Sequence, residues 1–163
     1  MTGRLARDIK QSKPFSSPVL EVYFNLLRTT DELSRASSTL LKPHDLTGTQ
    51  YNVLRILRGA GDDGLPCSEI GNRLITHDPD VTRLVDRLEK RGLVARSRDS
   101  DDRRVVTVRV TAAGLALIDS CDMDNRTIAA FAARFARLTA DETRSLITAL
   151  ELLRETTKEP DHA

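Results

Sequence analysis

Apolar residues along this chain recur mostly at helical spacing, and only one short region shifts to the every-second-residue alternation of strands. Ser17-Pro18 offers an N-cap followed by proline at the first helical position. Leu20, Tyr23, Phe24, Leu27, Leu33, Leu40 and Leu41 then carry a long, partly apolar helix to about Leu41, and Pro43 ends it. Thr47-Gly48-Thr49-Gln50 fits a capping box, which predicts a second helix through Tyr51, Val53, Leu54, Ile56 and Leu57 that stops at Gly59. A third spans about Cys67 to Leu74, with Ile70 and Leu74 facing inward. Asp78-Pro79 reads as the N-cap and first residue of a fourth. There Val81, Leu84, Val85 and Leu88 form one apolar stripe, Asp80, Arg83, Arg87 and Lys90 lie on the opposite face, and Gly92 closes the helix.

After Gly92 the pattern changes. Leu93 to Arg98 reads as a strand, Asp99 to Arg104 as a charged turn, and the residues up to Val110 as a returning strand, with a third touch at Leu65. Thr111 caps a fifth helix whose Leu115, Ile118, Cys121, Ile128, Phe131, Ala132 and Phe135 carry apolar character to about Leu138. Thr139-Ala140-Asp141-Glu142 is a second capping box, opening a sixth helix through Leu146, Ile147, Leu150 and Leu153. Helix, strand, charged turn, strand is the order of a winged helix-turn-helix. The expected fold is therefore mainly α, a winged helix-turn-helix with a two- to three-stranded β-wing and an added helical dimerisation layer. At 163 residues one domain is expected. Residues 1–16 read as a flexible arm, 17–157 as the domain and 158–163 as a tail. Within the domain, a reading head covers about 47–110 and dimerisation helices about 17–42 and 111–157. The first, fifth and sixth helices carry more apolar surface than one layer buries, and a second copy of the chain is its simplest cover.

Overall charge is uninformative, with 25 Lys and Arg against 24 Asp and Glu, but its distribution is not. From Arg83 to Arg109 lie nine basic and five acidic residues, and from Arg137 to the end four basic and six acidic. Arginines gathered in one helix and one hairpin are the footprint of a local polyanion contact. Alone, Asp102, Arg103 and Arg104 would read as a solvated turn. Between two strands and behind this helix, they read as a tip that puts a guanidinium into a narrow minor groove, with Asp102 orienting a neighbouring Arg. The fourth helix would enter the major groove by its first half, with Pro79, Asp80, Thr82 and Arg83 nearest the bases. Arg87 and Lys90 are suited to phosphates, although pairing of Arg87 or Arg91 with nearby acids is an equal reading. Ser68, in the first turn of the third helix, is placed for a phosphate or for a plain capping role.

Other chemistry finds little support. The three histidines, His44, His77 and His162, stand in no metal-ligand spacing with Cys or Glu, and neither a Gly-rich phosphate loop nor a nucleophile elbow occurs, so no enzyme, metal or cofactor is expected. Cys67 and Cys121 form no Cys-x-x-Cys pattern. Cys67, at a helix start, leaves a thiol-sensing regulator open as an alternative, whereas Cys121 falls on an apolar stripe. No run of about 18 apolar residues marks a membrane span, and no signal-peptide pattern opens the chain, so a cytoplasmic protein with no membrane partner is expected.

Asp102-Arg103-Arg104, five residues, then Val110-Thr111-Ala112-Ala113-Gly114 resembles the wing signature of the multiple-antibiotic-resistance regulator (MarR) family, with Val110 where Leu is usual. Thr82 to Val94 is likewise similar to that family's recognition helix and first wing strand, and the resemblance extends over about Pro18 to Thr157. It implies a homodimeric DNA-binding transcription regulator, in most cases a repressor, on a pseudo-palindromic double-stranded operator. It also implies release by a small aromatic effector held between the dimer layer and the reading head. In this chain Tyr23, Arg28, Tyr51 and Arg55 are available there, unless the tyrosines are core and the arginines surface. A winged helix used purely as a protein-interaction module is the alternative from another class.

Overall fold

Capping chemistry sets most of the helix boundaries. The computed structural model describes residues 4–76, 78, 80–98, 106–121, 129, 132 and 135–156. The chain divides into two units, Met1–Met123 and Asp124–Ala163. In the first, Ser17 Oγ accepts from the Leu20 amide and opens α2, Pro18–Leu41. Thr47 Oγ1 accepts from the Gln50 amide while Gln50 Oε1 accepts from that of Thr47, so the predicted capping box opens α3, Gly48–Ala60. α4 is Cys67–Arg73, α5 Val81–Lys90 and α6 Ala112–Cys121. In the second unit Thr139 and Glu142 close the other predicted box at the start of α7, Ala140–Thr156. No described helix is long and apolar enough to cross a membrane.

Two expectations are corrected. Residues 1–16, read as a flexible arm, contain a short helix, α1, Arg4–Asp8, which packs on α2 with Leu5 and Ala6 buried. Lys10 ends it at φ 54°, and the Gln11 amide donates back to the Ala6 carbonyl. Two adjacent apolar residues are too few to show a period, so tertiary contact rather than pattern makes this helix. Phe15 stacks on Phe24 of α2 at 5.9 Å. The second correction concerns α5: Asp78-Pro79 is not its cap. Asp80 Oδ1 accepts from the Arg83 amide and is the N-cap, while Asp78 Oδ1 takes the Asp80 amide in the turn before it. On α6 the buried residues are Gly114, Ile118 and Cys121, while Leu115 is exposed. The predicted continuation of that helix through Ile128 and Phe131 lies outside the described residues.

The core joins α3, α4, α5 and α6 to a three-stranded antiparallel sheet. Val53, Leu54, Leu57, Ile70, Val85, Leu88, Val94, Val108, Ile118 and Cys121 are buried in one cluster, with Leu41 at the end of α2. Strands β1, Leu65–Pro66, and β2, Val94–Arg98, flank β3, Val106–Val110. Val94 pairs with Val110, Arg96 with Val108 and Leu65 with Val108. Only Val108 of β3 is buried, at the middle of the strand between half-buried neighbours.

Candidate nucleic-acid interface

The start and the end of α5 are both fixed by local bonds. At its end the Gly92 amide donates to the Glu89 carbonyl at 2.8 Å and the Leu93 amide to that of Leu88 at 3.0 Å. This is a Schellman closure, and Gly92 supplies the left-handed φ of 69° it needs. The chain turns there directly into β2. Thr111, at the far end of the hairpin, returns to the same place: its hydroxyl donates to the Gly92 carbonyl at 2.7 Å and accepts from the Gly114 amide at 3.1 Å. A Cβ at Gly114 would collide with the Leu93 carbonyl. The Thr-x-x-Gly of the wing signature is thus a tie between the recognition helix, the base of the wing and α6.

Leu84, Val85 and Leu88 face the core, and Thr82, Arg83, Arg87 and Lys90 are exposed on the opposite face. Arg83 Nε lies 3.1 Å from Asp80 Oδ2, with 78% of the Arg side chain accessible, so the capping carboxylate also holds the guanidinium. An exposed pair of this kind is worth about 0–1 kcal/mol and opens readily for another anion. Ser68 is exposed in the first turn of α4, whose N-cap, Pro66, makes no side-chain cap bond. Pro79, Asp102, Arg103 and Arg104 lie outside the described residues.

Other members of the basic cluster have structural partners. Arg91 donates to the Asp45 carbonyl at 2.6 Å and to that of His44 at 3.3 Å. Arg109 Nε donates to the Asp62 carbonyl at 2.5 Å and Nη1 to Ser97 Oγ. Arg96 is the centre of a network that the sequence reading missed. Its Nη1 lies 2.5 Å from Asp86 Oδ1 and 2.8 Å from Glu89 Oε2, its backbone amide donates to Glu89 Oε1 at 3.0 Å, and Nη2 donates to the Thr82 carbonyl at 3.3 Å. The half-buried Cys67 side chain is a further partner. Burial opposes the charge on Arg96, but Asp86 and Glu89 more than offset it and hold its proton above the ordinary arginine range. One guanidinium therefore fastens the first wing strand to the recognition helix. The signal was present in Asp86 and Glu89, two acids three apart on a helix that a glycine turn folds back beside Arg96.

The four residues considered for an effector sit as two pairs on two helices. On α2, Tyr23 is exposed and packs edge-on to Phe24, and Arg28 pairs with Glu32 at 3.0 Å. On α3, Tyr51 is buried in the core and the Arg55 guanidinium lies 5.9 Å from its ring centre.

A short helix hydrogen-bonded at both ends, with a polar outer face and a β-hairpin clamped beside it, defines a winged helix-turn-helix protein. Comparison with known proteins carries this further. The family model described as "MarR family" matches residues 46–106. The transcriptional regulator TtmR of Methylorubrum extorquens is 33% identical over 135 residues, covering 83% of this chain and 66% of that protein. The crystal structure of a MarR transcription factor from Planctomyces limnophilus is 38% identical, covers 85% of this chain and 98% of that one, and superposes with a TM-score of 0.62. S. aureus MepR, solved as a DNA complex, has the same fold at 23% identity, covering 82% of this chain and 97% of that one, with a TM-score of 0.73. The chain belongs to the MarR family of winged helix-turn-helix transcription regulators.

Proposed function

We propose that this chain is a homodimeric repressor that binds a pseudo-palindromic duplex with one half-site per subunit and is released by a small aromatic effector. In this reading α5 enters the major groove. Arg83 contacts a guanine, with Thr82 beside it, and Arg87 and Lys90 take phosphates, while Arg104 on the wing reaches the minor groove with Asp102 and Arg103 around it. The observation that carries the reading is the exposed row Thr82, Arg83, Arg87 and Lys90 on a helix whose other face is core and which Arg96 holds to the wing. Support for a second copy comes from α2, where Val19, Val22, Tyr23 and Leu27 are each more than half exposed. MepR, a protein of the same fold, has been solved with DNA.

Arg104→Ala tests the wing by anisotropy titration against a duplex selected by the wild type from a random library. Operator binding should weaken strongly, with dimerisation and thermal midpoint unchanged. If the contact reaches phosphate, the salt slope should fall by about 0.9 per subunit. Unchanged affinity and slope would leave the reading resting on α5 alone. A wild type that binds no duplex would leave the protein-interaction reading in its place.

A further inference from the structure

The first turn of α5 gives one carboxylate two tasks. Asp80 Oδ1 accepts from the Arg83 amide at 3.1 Å, and Oδ2 of the same group lies 3.1 Å from Arg83 Nε. The Asp80 backbone is fixed in turn, because its amide donates to Asp78 Oδ1 at 2.9 Å. Neither terminal nitrogen of Arg83, Nη1 or Nη2, has a hydrogen-bond partner among the described residues, and the side chain is exposed. An acid thus stands at the head of the exposed row Thr82, Arg83, Arg87 and Lys90. Neutral Ser or Asn caps a helix as well as Asp does, so the cap alone does not call for a negative charge on a surface that meets a polyanion.

A guanidinium carries its N–H donors along a planar fork, so its Nε edge can stay on a carboxylate while the terminal nitrogens engage a base. Guanine offers O6 and N7 to such a fork. Arg83 on guanine therefore keeps the Asp80 pair, whereas Arg83 turned to a phosphate breaks it and leaves an unpaired carboxylate facing the duplex. In water that pair is weak, but in a groove from which water is expelled the loss of its partner costs more. Specificity grows from penalties on the wrong contact as much as from gains on the right one. We propose that Asp80 is a positioning residue that sets sequence discrimination: it aims Arg83 at guanine and penalises its use on phosphate. This rests on the DNA reading above, in which Arg83 contacts a guanine, and adds to it an acid that weakens non-specific binding.

Asp80→Asn tests this by anisotropy on the selected duplex and on a random one at several salt concentrations, with Arg83→Ala and the double variant completing a cycle. Asn keeps the cap, so the melting midpoint should stay close to that of wild type, but it carries no charge to hold the guanidinium. The selected duplex should bind more weakly and the random one more tightly, so that their affinity ratio falls by roughly five- to tenfold. The salt slope on the random duplex should steepen by about 0.9 per subunit as Arg83 turns to phosphate. Asp80→Ser, another neutral cap, should behave as Asp80→Asn does. In the Arg83→Ala background Asp80→Asn should leave the ratio where it is. A ratio unchanged by both neutral caps, or lowered equally with Arg83 present or absent, overturns the assignment, while a loss of discrimination in Arg83→Ala keeps the DNA reading in place. If Arg83→Ala itself leaves discrimination unchanged, or wild type binds neither duplex, the docking of α5 falls and the role of Asp80 with it.

Discussion

The reading head and the two long helices, α2 and α7, are stabilised in different ways. In the head, α3 to α6 and the sheet bury one continuous cluster, and long-range bonds from Arg91, Arg96 and Arg109 tie loops and wing to it. α2 spans 24 residues, yet Leu41 is the only buried one, and none of the described residues of α7 is buried. Local chemistry contributes to these helices: the Ser17 and Thr139 caps and the pairs Arg28–Glu32 and Arg35–Asp31, each pair worth only a few tenths of a kcal/mol. The head completes its core within one chain, whereas α2 and α7 present apolar faces that the dimer reading fills with a second copy.

The largest effect should come from breaking that second region. Val22→Asp combined with Leu27→Asp charges the exposed face of α2 and removes nothing from the core. Sedimentation should report a monomer, with operator affinity down by roughly 10²–10⁴-fold because two half-sites no longer bind as one. The head should still melt cooperatively. A stable dimer of this variant would place the subunit contact elsewhere and remove the contrast between the regions.

Within the head, Arg96→Met keeps the volume and removes the charge between Asp86 and Glu89. Those carboxylates are 42% and 36% exposed and can turn to water, so the loss should be about 1–3 kcal/mol, less than for a sealed pair. Chemical denaturation measures it, and operator affinity should fall with it as the wing loosens from α5. Full stability would show the network to be surface decoration. Arg83→Ala should leave stability unchanged but lose about 1–3 kcal/mol of discrimination at one base position per half-site. Lys90→Ala should weaken all duplexes equally. Equal behaviour of these two variants on operator and random duplex would contradict the proposed docking of α5.

Much of the architecture was legible because caps and periods are local. Thr47-x-x-Gln50, Thr139-x-x-Glu142, Gly92 and the alternating wing strands each report their own geometry to a reader of the sequence. The start of α5 was misread because Asp78 and Asp80 are equally good caps on paper, and only the direction of each carboxylate separates them. α1 was invisible because its cause is burial of Leu5 and Ala6 against α2. For the interface, the exposed row of α5 could be read from helical spacing. The division of the arginines could not. Arg91, Arg96 and Arg109 count as positive charge in a sequence, but their partners Asp45, Asp86, Glu89 and Asp62 are set by the fold.

The smallest expected effect tests whether α7 depends on its own cap. Glu142 Oε2 accepts from the Thr139 amide at 2.8 Å and from its hydroxyl at 2.9 Å, and these bonds hold its carboxyl below the ordinary value of 4.5. A carboxyl depressed in the folded state favours folding when ionised. Its contribution is therefore present above the unfolded value and is lost as pH falls through the lower, folded one. Glu142→Gln keeps an acceptor at the same position and a working capping box, but has no proton to gain. Carboxyl chemical shifts of wild type should give a Glu142 midpoint below 4.5. Amide protection in the first turn of α7, taken relative to the intrinsic exchange rate at each pH, should fall over the same range in wild type and stay flat in the variant. An ordinary midpoint for Glu142, or the same acid response in both proteins, would mean that α7 is held chiefly by contacts outside its cap, and the contrast with the head would narrow accordingly.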